Sequence, residues 1–108
     1  MNIHTRIRYL REINGLMQTD IAKLLHVTQR AYSNYENGHR QMPYELLIKL
    51  SIFYDTSIDY LLNLTNDYAP YKRSEHYSDF ENEIQTFSDQ LKANNDKYRF
   101  NQKIYGKQ

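Results

Sequence analysis

Apolar residues in the first sixty-odd positions recur at helical intervals, and the residues between them mark where each helix stops. Ile3, Ile7 and Leu10 stand four and three apart, one stripe of a 3.6-residue period, and the stripe ends at Asn14-Gly15, a pair suited to a left-handed helix stop. Ile21, Ala22, Leu24 and Leu25 predict a short second helix from Gln18 to about Leu25, closed by a His26-Val27 turn. Thr28 is a suitable N-cap for a third helix running to Asn37, with Gly38 at its C′ position. Pro43 fits the first turn of a fourth helix, where its missing amide hydrogen costs nothing, and Leu46, Leu47, Leu50 and Phe53 supply that helix's buried side. Thr56-Ser57-Ile58-Asp59 has the form of a capping box opening a fifth helix with Leu61, Leu62 and Leu64 as its apolar residues. Strand-like alternation and hairpin signals are missing, so the chain reads as all-α.

The composition changes after Leu64 to Thr65-Asn66-Asp67-Tyr68-Ala69-Pro70, a polar stretch with a proline. The expected organisation is a helical domain over 1–65, a linker over 66–73 and a carboxy-terminal helical segment over 74–108. In that segment Tyr77, Phe80, Ile84, Phe87, Leu91, Asn94 and Tyr98 alternate at spacings of three and four, the pattern of an amphipathic helix that buries one seam. Three outcomes stay open for it: pairing with a second copy, docking on its own domain, and a mostly disordered tail. Glu75, Asp79, Glu81, Glu83 and Asp89 precede the basic Lys92, Lys97, Arg99, Lys103 and Lys107, with only Asp96 breaking the second group, so a self-associating pair would match charges antiparallel.

The chain of 108 residues has room for one core and an appendage. The absence of cysteine excludes disulfides, thiolate metal sites and a cysteine nucleophile, and agrees with a reducing cytoplasm. The first ten residues carry Arg6 and Arg8 within an amphipathic stretch, unlike a secretory signal, and no apolar run is long enough for a bilayer, so a soluble cytoplasmic protein is expected. A net charge of +1 would not by itself point to nucleic acid, so any electrostatic footprint depends on where a few cations are placed.

Placement is informative between residues 18 and 38, QTDIAKLLHVTQRAYSNYENG, a short helix, a tight turn and a second helix. At 100° per residue, Gln29, Arg30, Ser33, Asn34 and Asn37 fall within an arc of roughly 140°, with Ala31, Tyr32 and Tyr35 on the other side. Solvated helix faces usually favour Glu and Lys; this arc holds amides, a hydroxyl and a guanidinium, the groups that match base edges in the major groove. Thr28, at the head of the same helix, is grouped with these residues as a DNA contact.

Together these residues resemble the phage repressor and Cro-type helix-turn-helix proteins of bacteria, over about Ile3 to Leu64. The resemblance is carried by Ile7, Leu10 and Arg11, by Gln18 with Ile21-Ala22, by Thr28-Gln29, by Tyr35-Glu36-Asn37-Gly38, and further on by Pro43, Leu47, Leu50 and Asp59-Tyr60-Leu61-Leu62. It implies a five-helix lambda-repressor-like domain whose third helix enters the major groove, with the Gln29, Arg30 and Asn34 positions facing bases. It also implies that Gln18 grips a phosphate, that His39 and Arg40 sit in a loop that meets phosphate, and that Arg11 and Glu36 form a buried structural ion pair. Two positions depart from the family pattern: His26 replaces the usual turn glycine, and Met17 replaces the usual Ser or Thr cap. Histidine is among the residues that tolerate positive φ, so the turn remains possible at some strain.

Other chemistry finds little footing. His4, His26, His39 and His76 are far apart, with no second ligand at i+3 or i+4, so no metal site is expected, and no Ser-His-Asp or lysine-based arrangement is evident. No catalytic residue and no cofactor are expected. Tyr9, Tyr32, Tyr35, Tyr44, Tyr54 and Tyr60, six of 11 tyrosines, fall mainly at core or core-edge positions, which favours packing over base stacking. The expected function is sequence-specific binding of a double-stranded DNA operator as a homodimer, with repression as the consequence. The alternative is an antitoxin or immunity-type regulator that binds a protein partner through residues 74–100.

Overall fold

The computed structural model describes residues 2–72 and 78–94, excluding the side chains of Ser78 and Asp79. Over these residues the chain forms six helices: α1 (Ile3–Ile13), α2 (Gln18–Leu25), α3 (Gln29–Glu36), α4 (Tyr44–Phe53), α5 (Ile58–Leu61) and α6 (Ser78–Asn94). The all-α expectation, five helices and then a carboxy-terminal one, is met.

Side-chain oxygens cap the starts of α1, α3 and α5. The Asn2 carbonyl accepts from the Thr5 amide at 2.9 Å and Thr28 Oγ1 from the Ala31 amide at 3.0 Å, each satisfying one of the amides a helix start leaves without a partner. Met17 has no such oxygen; instead the Asp20 carboxylate reaches back to accept from the Met17 amide at 2.8 Å. Gly15 and Gly38 end α1 and α3 at φ 71° and 80°, as their positions predicted. His26 closes α2 at φ 57°, ψ 43°, a conformation that costs a residue with a Cβ roughly 1–2 kcal/mol.

The fifth helix departs from its expected form. Its cap is Ser57, whose Oγ accepts from the Tyr60 amide at 3.0 Å, one position later than the capping box over 56–59 placed it. Thr56 instead donates its hydroxyl to the Tyr68 carbonyl, binding the polar stretch back onto the domain. The helix ends at Leu61, Asn63 turns the chain at φ 65°, and Leu64 is therefore thrown into solvent rather than joining the apolar row.

The core is drawn from every helix: Ile7 and Leu10; Ile21, Leu24 and Leu25; Tyr32 and Tyr35; Leu47, Leu50 and Phe53; Leu61; and Ile84 and Leu91 of α6. Tyr32, Tyr35, Tyr54 and Tyr60 are buried as expected, whereas Tyr9 and Tyr44 lie on the surface. The apolar seam of α6 rests on α4 of the same chain. Ile84 and Leu91 are buried, Phe80 and Phe87 pack beside them, and the Phe87 ring meets Phe53 edge-on with centroids 6.4 Å apart. Asn94 is exposed at the end of the helix; Tyr77 and Tyr98 lie outside the described residues, as do Glu75, Lys97, Arg99, Lys103 and Lys107. Among the described residues no helix is long and apolar enough to cross a membrane.

Candidate nucleic-acid interface

Helix α3 is held by the face opposite the one predicted to read DNA. Tyr32, fully buried, and Tyr35 anchor it to the core, leaving Thr28, Gln29, Arg30 and Asn37 exposed and Ser33 and Asn34 half-buried. The exposed set is thus a continuous polar surface along one side of a rigid helix, as the 100° spacing requires. Asn37 donates to Ser33 Oγ at 3.2 Å and accepts from Arg8 Nη2 at 2.8 Å, so the carboxy-terminal end of this surface is pinned to α1.

The loop after α3 is fastened to the same helix. The amides of His39 and Arg40 both donate to the Asn34 carbonyl, at 2.9 and 3.2 Å, which keeps the two exposed side chains beside the polar face. The Arg40 guanidinium lies 6.0 Å from the Tyr35 ring centroid. Beneath the loop, Gly38 presses on His4: a Cβ at that position would stand 3.0 Å from the imidazole, and the left-handed φ independently favours glycine. His4 Nδ1 in turn stands 3.0 Å from the Tyr35 carbonyl, tying the end of α3 to the start of α1.

Behind the polar surface, the Glu36 carboxylate joins three helices. Arg11 donates Nε to Oε2 at 2.9 Å and Nη2 to Oε1 at 2.8 Å, Gln18 Nε2 reaches Oε1 at 3.2 Å, and Arg8 Nε reaches it at 3.3 Å. Burial pushes the carboxyl up, but the bonds from Arg11 and Gln18 and the nearby guanidinium charge outweigh it and hold the group down at about 2. The same bonds raise Arg11 further above its ordinary value. The pairing of Arg11 with Glu36 read from the family resemblance is therefore present. Gln18 occupies the amino-terminal turn of α2, and one amide hydrogen and the side-chain carbonyl remain beyond its bond to Glu36.

The sequence reading passed over Arg6, Arg8 and His4 as functional or structural groups. Arg8 and Arg11 are one helical turn apart, so one face of α1 carries both toward Glu36, a signal the spacing does contain. Arg6 is buried instead, donating to the Tyr60 carbonyl at 2.9 Å and Asn63 Oδ1 at 2.8 Å, with its guanidinium 3.9 Å from the Tyr60 ring centroid. Nothing local in the sequence distinguishes it from a solvated arginine. Among the described residues no three His, Asp or Glu side chains gather as a metal site would require.

A helix-turn-helix family model matches residues 7–61. The chain is 31% identical over 75 residues, 69% of its length, to the uncharacterized HTH-type transcriptional regulator YobD of Bacillus subtilis (strain 168), and covers 67% of that relative. It is also similar to the HTH-type transcriptional regulator ImmR of the same organism, at 36% identity over 57% of the chain, and to the uncharacterized HTH-type transcriptional regulator YqaE, at 39% over 52%. Of these two it spans about half the length, 49% and 48%. No solved structure is matched by the chain.

Proposed function

This chain belongs to the helix-turn-helix family, of the phage repressor and Cro type, and on that premise we propose that it is a transcriptional regulator that binds a double-stranded DNA operator in a sequence-specific manner. The observation that carries this reading is the α3 surface: Gln29, Arg30 and Asn34 project from one side of a helix whose other side is locked into the core by Tyr32 and Tyr35. In the proposed complex Arg30, Gln29 and Asn34 meet base edges, with Thr28 and Ser33 beside them. Gln18, His39 and Arg40 take phosphates on either side of the groove, contacts that set register without reading sequence.

The regulator is proposed to act as a homodimer and as a repressor, two recognition helices meeting half-sites about one turn of DNA apart, ~34–36 Å. A second copy reaches the Ile84 and Leu91 seam only where α6 leaves its own α4. The same holds for a protein partner of the antitoxin or immunity type. Selection of bound duplexes from a random pool, followed by sedimentation of the chain with the winning site, tests the proposal. A two-fold-related pair of half-sites bound by two chains supports it. Retention of all sequences alike contradicts it.

A further inference from the structure

The carboxy-terminal helix does more than cover α4. Glu83, next to the docked Ile84 and one turn before Phe87, places Oε1 3.0 Å from His26 Nε2 and 3.7 Å from Lys49 Nζ. Lys49 belongs to α4 and also lies 5.9 Å from the Phe80 ring centroid, so it is held between two side chains of α6. His26 is the turn of the helix-turn-helix itself, and its backbone is left-handed without being glycine. An ionised carboxylate only accepts, so the imidazole donates Nε2–H to Glu83.

We propose that α6 is a clasp on the helix-turn-helix and that Glu83 is its positioning residue: the carboxylate, held over α4 by Lys49, fastens the strained His26 turn from which the recognition helix departs. A glycine at that turn would adopt the conformation unaided. With histidine there, the left-handed backbone is opposed by its Cβ, and a bond that fixes the ring favours that one geometry. The turn amides report on it directly, because Val27 N–H donates to the Ala22 carbonyl at 3.0 Å and His26 N–H to the Lys23 carbonyl at 3.3 Å only while the turn is closed. Thr28, whose hydroxyl caps α3, is the next residue along. The consequence for DNA rests on the proposed function: by reciprocity, a duplex that needs the closed turn must also tighten the docking of α6.

A four-member cycle of the full chain tests this: wild type, Glu83→Ala, His26→Gly and the double substitution, read by amide hydrogen exchange. In Glu83→Ala, exchange at Val27 should rise about two- to five-fold, the range to which an exposed pair converts, while Leu10 in α1 keeps its protection. In the His26→Gly background the same change should leave Val27 as it was. Adding a selected duplex should then raise protection at Ile84 and Leu91 in wild type and less so in Glu83→Ala. The clasp is overturned by unchanged Val27 exchange in Glu83→Ala, or by an equal rise with histidine and with glycine at position 26. A duplex that protects α3 amides and leaves α6 unaffected overturns the coupling to DNA. If no duplex adds protection at α3, the proposed function fails instead, and the Val27 arm still decides the clasp.

Discussion

Arg11 holds Glu36 with one edge of its guanidinium, Nε on one carboxylate oxygen at 2.9 Å and Nη2 on the other at 2.8 Å. The Glu36 side chain is wholly buried and that of Arg11 only 12% exposed, so the pair belongs with interior ion pairs. Removing one partner of such a pair strands a charge that water reaches poorly. Arg11→Met and Glu36→Leu are each expected to destabilise the domain by about 3–5 kcal/mol, and the double substitution by less than their sum, because it leaves neither charge behind. Denaturant unfolding of wild type and the three variants checks this, and variant curves that superimpose on the wild-type curve would mean that the pair contributes nothing.

The same contact sets an acid limit. The folded carboxyl is held at about 2 against an ordinary 4.5, so Glu36 binds its proton more weakly in the folded chain than in the unfolded one. Its contribution is complete above the ordinary value and is lost as the pH falls from there toward about 2. Thermal melts between pH 6 and roughly pH 2 should show wild type losing its advantage over the Arg11→Met/Glu36→Leu double variant in that window. An advantage that stays constant with pH contradicts the assignment.

Docking of α6 makes a separate prediction. Ile84 is 4% exposed and lies among the core residues. Ile84→Ala should therefore cost about 2–5 kcal/mol, the range for truncating a buried aliphatic side chain. Full-chain unfolding measures it. A variant as stable as the parent would place the seam away from α4 in solution.

The helices were legible because their signals are local. Gly15 and Gly38 stop α1 and α3 where the sequence placed them, and Thr28 caps the helix it was expected to cap. Leu64 was misplaced because α5 runs only from Ile58 to Leu61, and an apolar residue just past a short helix reads like one more member of its stripe. Tyr9 and Tyr44 were misplaced for a related reason: periodicity marks a face and does not reveal how far the core extends along it. The exposed polar face of α3 followed from its spacing, whereas the three-helix junction at Glu36 was reached only in part. Arg11 came from family resemblance, and the bonds from Arg8 and Gln18 depend on how α1 and α2 cross α3. The seam of α6 was visible as a pattern, but its partner was not, since an apolar stripe specifies that something covers it and not what. Contacts such as His26 with Glu83, 57 residues apart, have no signature in a single sequence.

Base reading by α3 is the central claim, and binding isotherms on the selected operator and its single-base-pair variants test it most directly. Arg30→Ala and Asn34→Ala should each cost about 1–3 kcal/mol on the matched site and flatten the preference at one base pair, while Gln18→Ala weakens every duplex alike. Equal losses on all duplexes for both α3 substitutions, or no loss at all, would contradict the assignment of this surface to sequence recognition.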